Sequence, residues 1–406
     1  MNEIEYIKEK IQYCIDMNLK HIVVVPMGKW GQKVKELLNT CYEIKEDFCL
    51  DNIHYDGKNV YPINEAPLNK QKYTYLLSVQ DECIKREIMS QLLEFVDKDQ
   101  IIDVFSNQMF IQKMWNVYGR VKMDFLLVGF KKCGTSSLQT DLLCNPKIFL
   151  PSEKETFFVH NLRSENAYER FRKSYPEDKL NEKVVGGIEP AYASYAKEVY
   201  EYFGADLKIL MCVRNPIEAV YSLFLMDMRE ATGKTIYYLR KYGNITPEAF
   251  EEWLEENKAG YVYMRFIKEY LRFYKKEQIK IIIFEELCQN PNKEMKEIQE
   301  FIGVAQKDIV EYNVMSHVNE SSGVPKNLAC AYINRNITQL NYEGLDSDLW
   351  MEILQIQNEI FKITNEKPFK IVTDGIYKRL FEFYKKGIEE LELFLGKSLN
   401  GLWYNK

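Results

Sequence analysis

Two stretches of this chain carry residue types suited to holding and polarising a phosphate ester. In the first, FLLVGFKKCGTSSL (125–138), an apolar run leads through Gly129 and Gly134 into a helix-forming segment. Backbone N–H groups of Gly134, Thr135, Ser136 and Ser137 at a helix N-terminus make an anion site. The first-turn donors have no intrahelical acceptor, and the helix dipole is positive there. The glycines have the separation of a nucleotide-hydrolase loop, but Thr135 stands where that loop places the lysine that reaches the β- and γ-phosphates. The available cation is Lys132, two residues before Gly134. Such a loop suits a 5′-phosphate with one adjacent positive charge and weighs against triphosphate hydrolysis.

The second stretch is KILMCVRNPIEAVYSLFLMDMR (208–229). Ile209–Val213 is a continuous apolar run, which predicts a strand buried on both faces of a parallel sheet. Asn215 as N-cap, Pro216 at the first helical position and Glu218 at the third predict a helix opened by a capping box. Arg214 then falls at the carboxyl end of a strand, where open α/β sheets bind ligands. Ser222, two turns into the helix, comes back near the face of the N-cap.

The loop and the Arg-Asn-Pro…Ser stretch resemble, as a pair, the two phosphate motifs of sulfotransferases that use 3′-phosphoadenosine 5′-phosphosulfate (PAPS). The first is similar to the K-x-G-T-[ST]-[ST] loop for the 5′-phosphosulfate. The second is similar to R-[ND]-P-x-x-R-x-x-S, whose first arginine and serine bind the 3′-phosphate; Arg214 and Ser222 match these, and Ala219 stands where many members have a second arginine. Lys154–Val159, KETFFV, resembles the family's K-E-x-[HF]-F-F segment. That likeness implies Glu155 as general base, with Phe157 replacing a frequent histidine. Glu153 is the alternative base, since Pro151-Ser152 leaves the alignment open by two residues. Gly187–Tyr192, GIEPAY, looks like G-E-x-[ST]-P-x-Y shortened or shifted by a residue. Ile279–Val304 reads as strand, Glu285-Glu286-Leu287, Asn290-Pro291, helix and Phe301-Ile302-Gly303-Val304, and the tail Leu380–Trp403, with a helix over Gly387–Leu395, is similar to the family's end. Asn319–Lys326, NESSGVPK, resembles a late loop over the donor and offers Lys326 as a third phosphate ligand, with His317 nearby as a possible assistant.

The resemblance spans about residues 120 to 406. It implies a P-loop-type parallel sheet flanked by helices, PAPS as co-substrate, no metal, and as acceptor a hydroxyl or amine of a glycan or glycolipid. An acceptor hydroxyl is a poor nucleophile at neutral pH, so a carboxylate within reach of its proton is the expected base. Lys132 would offset the charge that develops on the leaving oxygen. Two other classes remain open: a P-loop nucleotide-dependent phosphotransferase, and a non-catalytic nucleotide-binding scaffold of glycan assembly.

These motifs all lie beyond residue 120, and the elements before it read as a separate unit. Helix-like Ile4–Asn18 precedes the β-branched run His21–Val25, the turn Pro26–Gly31, a helix over Gln32–Thr40 and a second strand over Ile44–Leu50. Strands over Thr74–Ser78 and Ile101–Val104 flank a helix over Gln80–Val96. This is a Rossmann-like βαβ pattern, similar to small domains attached to bacterial surface-glycan enzymes, and it predicts domains at 1–118 and 119–406. Asp51 lies where a dinucleotide site places its ribose ligand. Pro26 in place of the first glycine, and bulky Lys29-Trp30 where a pyrophosphate backbone contact belongs, argue against NAD.

Composition narrows the classes further. The 406 residues carry a formal charge of −6, which disfavours nucleic acid as partner. Nine cysteines are scattered without C-x-x-C spacing and suit a reducing, cytoplasmic setting. The first 25 residues lack the apolar core of a signal peptide, no 18-residue apolar run predicts a membrane span, and four dispersed histidines form no metal-ligand cluster.

Overall fold

The computed structural model describes residues 3–67, 73–151, 155–162, 164–312, 323–339, 347–367 and 371–403. The chain forms two compact units, Met1–Met109 and Phe110–Lys406.

The first unit holds a parallel sheet of β1 (Ile22–Val25), β2 (Phe48–Leu50), β3 (Val60–Tyr61), β4 (Thr74–Leu77) and β5 (Ile101–Asp103) in the order β3-β2-β1-β4-β5. Every residue of β1, β2 and β4 is buried, as a parallel sheet covered on both faces requires. Alternate residues serve two cores. Ile22, Val24, Cys49 and Leu76 meet Ile7, Ile11, Val34 and Leu38 from the helices Glu3–Asp16 and Lys29–Tyr42. Val23, Val25, Phe48, Leu50 and Leu77 meet Ile88 and Leu92 of the helix Glu82–Leu92. The strand order reverses between β1 and β4, the usual ligand crevice of a doubly wound sheet. Here Asp51 is occupied by the turn after β1 and by its own loop: Oδ2 accepts from the Met27 N–H at 2.9 Å, and Oδ1 accepts from Ile53 and His54 N–H at 2.7 and 2.8 Å. Trp30 donates to Gln80 Oε1 at 3.1 Å and packs edge-on to Phe105.

The second unit is built on a parallel sheet of β6 (Phe125–Gly129), β7 (Ile148–Phe149), β8 (Val184–Ile188), β9 (Lys208–Val213) and β10 (Ile279–Ile283), ordered β10-β9-β6-β8-β7. All of β6 and all but the first residue of β9 are buried. Their carboxyl ends, with those of β8 and β10, bring the loop after Gly129, Glu189, Arg214 and Phe284 to one edge. The helix Gln108–Tyr118 contributes Ile111 and Met114 to this unit's core. The division therefore falls at 109/110, earlier than the expected 118/119.

The closing helix runs over Asp374–Leu395 and begins thirteen residues before the Gly387–Leu395 segment expected. Ile376, Leu380, Tyr384, Ile388 and Leu391 continue one buried stripe at three- and four-residue spacing. Thr373 accepts from Ile376 N–H at its start, and Gly396 ends it at φ 69°. Among the described residues, no helix is long and apolar enough to cross a membrane.

Candidate active site

The phosphate-type loop leaves β6 and enters the helix Thr135–Leu143 with Gly134 as an N-cap that supplies no side-chain hydrogen bond. Gly134 has φ 85°, a conformation costly for any residue with a Cβ. A Cβ there would also lie 2.4 Å from the Phe284 ring. Glycine is thus required twice, by backbone angle and by the aromatic residue that follows β10. Thr135, at the position of the missing Walker lysine, is buried, whereas Ser136 and Ser137 are half-buried. Lys132 is half-buried at φ 64°, and its ammonium reaches Met226 Sδ at 3.9 Å.

Arg214 emerges from β9 beside this loop. Its Nη1 donates to Lys132 O at 3.3 Å, its Nη2 lies 3.8 Å from Glu218 Oε2, and its guanidinium carbon sits 5.1 Å from the Phe284 ring centroid. The contact with the ring face adds a cation–π attraction. The Arg214 backbone is fixed as well, because Tyr263 OH donates to its carbonyl at 2.6 Å. In the helix Pro216–Arg229, residues four apart share a face. Glu218 touches Arg214 and Met226 touches Lys132, so Ser222, half-buried between them, lies on the same stripe. Lys132, Arg214 and Ser222 are thereby brought to one side of one helix.

The expected capping box does not form at this helix. Asn215 Oδ1 accepts from Ile217 N–H at 3.0 Å, as an N-cap should. The Asn215 N–H that Glu218 would satisfy is taken instead by Glu285 Oε1 at 2.8 Å, and Glu218 turns to Arg214. Asn215 Nδ2 donates to Trp403 O at 2.9 Å, which ties the far end of the chain to the helix start.

Glu155 follows β7 in the left-handed region, φ 64°, with Phe157 at φ 51° two residues on. Its N–H reaches Ile188 O at 3.3 Å. Sequence reading passed over the residue beside it, Glu189, although that carboxylate sits inside the GIEPAY segment. Glu189 is 3% exposed and directly follows β8. Its Oε1 accepts from Thr156 N–H at 2.7 Å and from the Thr156 hydroxyl, and its Oε2 from Phe157 N–H at 3.4 Å. Burial raises its carboxyl pKa to about 7, against the pull of those donors, and the Glu155 charge adds to the rise. His160, one turn on, packs 4.3 Å from the Tyr195 ring centroid. Burial lowers its pKa; a hydrogen bond to the Ala191 backbone opposes this, Lys131 adds to the fall, and Glu155 opposes it.

Lys326 is exposed, and its ammonium donates to Ile363 O at 2.7 Å. It therefore lies at the end of the helix Ser347–Thr364. Glu153, Lys154, His317 and positions 319–322 of the covering loop lie outside the described residues. Among the described residues, no group of three or more His, Cys, Asp or Glu side chains is arranged to hold a metal ion.

Residues 122–329, just over half of the chain, match the family model of the sulfotransferase domain. A curated mouse protein, heparan sulfate glucosamine 3-O-sulfotransferase 5, is 24% identical over 199 residues, covering 47% of this chain and 55% of its own length. This chain thus spans about half the length of that relative. Among solved structures, a sulfotransferase from Alicyclobacillus acidocaldarius is 21% identical and covers 70% of this chain and 100% of its own, with a TM-score of 0.43. Mouse sulfotransferase SULT7A1 complexed with PAP is 15% identical and covers 72% of this chain and 94% of its own, with a TM-score of 0.37.

Proposed function

Because the chain belongs to the sulfotransferase domain family, we propose that it moves a sulfuryl group from PAPS to a hydroxyl or amine of a glycan or glycolipid acceptor. The observation that carries this reading is the convergence of the Lys132 loop, Arg214 and Ser222 along one face of the helix Pro216–Arg229. A 5′-phosphosulfate and a 3′-phosphate need two separate cationic and hydrogen-bonding stations, and these residues supply both. The residues present fit the donor. An uncapped helix start with glycine at its N-cap suits an anion, and a guanidinium already oriented by Phe284, Glu218 and Lys132 O suits a phosphate.

When bound, PAPS supplies the sulfuryl group. The chain's own residues then have distinct tasks. Gly134, Thr135, Ser136 and Ser137 orient the 5′ end, and Lys132 stabilises negative charge at the leaving oxygen. Arg214 and Ser222 hold the 3′-phosphate, with Lys326 reserved as an outer contact. Glu155 takes the acceptor proton. The mouse relative is named for a heparan sulfate glucosamine, which supports a glycan acceptor. The doubly wound first unit supports a cytoplasmic role in bacterial surface-glycan assembly, where it would place the acceptor or a partner.

The test is mass-spectrometric detection of sulfate transferred from labelled PAPS onto a panel of glycans, glycolipid headgroups and small alcohols. Transfer to at least one sugar hydroxyl or amine is expected. Magnesium-dependent ATP turnover without any sulfate transfer would replace this reading with a phosphotransferase.

A further inference from the structure

Glu189 has no assigned part in the chemistry above, yet it is the most deeply buried carboxylate at the site and is bound to the segment that carries Glu155. We propose that Glu189 is a positioning residue: it fixes the backbone of 155–159 so that Glu155 faces the acceptor, and it holds that segment most tightly when it carries its charge. This rests on the sulfotransferase reading for what Glu155 does, but the clamp itself is a matter of geometry.

That geometry has four anchors. Ile188 O accepts from Glu155 N–H, Glu189 accepts from Thr156 N–H and from Phe157 N–H, and Tyr192 OH accepts from Val159 N–H at 2.9 Å. All the acceptors come from β8, from Glu189 just after it and from the short 3₁₀ turn Pro190–Ser194 that Glu189 caps. Glu155 and Phe157 both occupy the left-handed region, at φ 64° and 51°. Non-glycine residues keep that conformation only where their surroundings impose it, and the Glu189 carboxylate grips the residue between the two. With Pro190 and Tyr192 set on the P-x-Y of the family pattern, Glu189 stands where that pattern has Ser or Thr. A hydroxyl could not accept from three donors at once.

The grip also depends on charge. An ionised carboxylate accepts hydrogen bonds more strongly than a protonated one, and burial raises the Glu189 pKa to about 7. The ionisable groups facing Glu189 are Glu155 on the clamped segment, Tyr175 between helices, and Tyr192 on the 3₁₀ turn. Burial holds both tyrosines well above their ordinary pKa, so they stay neutral at physiological pH. Glu155 and Lys131 both act on His160, in opposite senses. Ionisation of Glu189 near neutrality therefore tightens its hold on the Thr156 and Phe157 N–H groups.

The experiment follows release of 3′,5′-bisphosphate from PAPS by the full chain across pH. It uses the acceptor that gives transfer in the panel, or water where none does. The unmodified protein should show a rise in kcat near pH 7 as Glu189 ionises. Glu189→Gln, which keeps an acceptor for Thr156, should lose that rise while retaining most of kcat. Glu189→Ala should lower kcat roughly 10- to 100-fold through misplacement of the base, with bisphosphate affinity unchanged by calorimetry. Amide exchange should show lost protection at Thr156 and Phe157 in Glu189→Ala. Full protection with an unaltered pH profile would overturn the proposal. Absence of bisphosphate binding and of turnover in the unmodified chain would instead sink the sulfotransferase reading. Amide exchange at 156 and 157 would then decide the clamp by itself.

Discussion

Arg214 shows how a single side chain is prepared for its task. Its charge is balanced at a distance by Glu218 and stacked on Phe284, and its Nη1 is committed to a loop carbonyl. Little rotamer freedom is left to lose when a phosphate arrives. Arg214→Ala should raise the KM for PAPS by about 10- to 150-fold, the equivalent of about 1.5–3 kcal/mol for a charge-assisted hydrogen bond. Steady-state kinetics with varied PAPS checks it, and an unchanged KM would remove Arg214 from the donor site. Glu155→Gln should leave bisphosphate affinity alone and lower kcat by roughly 10²–10⁴, the size of general base catalysis. Near-normal turnover would pass the role to another group. The meeting of Lys132 and Arg214 was legible in the sequence because each lies in a short motif with local spacing. Phe284, Tyr263 and Glu189 were not, since each meets the site from a distant part of the chain, as Tyr263 does across 49 positions to Arg214.

At the scale of elements, the strand-to-loop-to-helix passages were readable, and their exact bonding was not. Asn215 and Pro216 start a helix where their types require, yet the capping box failed because Glu285, 70 positions away, took the N–H that Glu218 would have bound. The Gly134 turn is equally dependent on a distant element. Gly134→Ala must adopt a left-handed angle, costing about 1–2 kcal/mol, and must also displace the Phe284 ring on which Arg214 stacks. Thermal unfolding should show a lower Tm, and calorimetry a weaker bisphosphate affinity; retention of both would mean that Phe284 yields freely. The clamp at the end of β8 gives a pH effect of definite sign. Unfolded Glu189 releases its proton near 4.5 and folded Glu189 near about 7, so between these values the folded chain binds more protons. Its contribution to stability is therefore greatest below the unfolded pKa and declines as pH rises through the folded one. Glu189→Gln removes that decline. Thermal unfolding between about pH 5 and about pH 8 should show a smaller fall for the variant, and equal slopes would contradict the raised carboxyl.

At the scale of the molecule, each of the two units was foreseeable from its hydrophobic runs, and their meeting point was less so. The helix Gln108–Tyr118 has no sequence mark that assigns it to either side, and it is the burial of Ile111 and Met114 that joins it to the second unit. In the first unit, the doubly wound order places a crevice where dinucleotides bind. Asp51 is bound by Met27, Ile53 and His54 N–H groups, and Trp30 is held by Gln80. The full chain should therefore show no NADH binding by fluorescence or calorimetry; tight, saturable binding would assign the first unit a cofactor. The claim on which everything else depends is that one chain holds a 5′-phosphosulfate at the Lys132 loop and a 3′-phosphate at Arg214 and Ser222. Calorimetry of the full chain with 3′,5′-bisphosphate and with AMP measures it directly. The 3′-phosphate should tighten binding at least about tenfold, as expected for a charge-assisted hydrogen bond of about 1.5 kcal/mol or more; equal affinity for the two nucleotides would contradict a 3′-phosphate site.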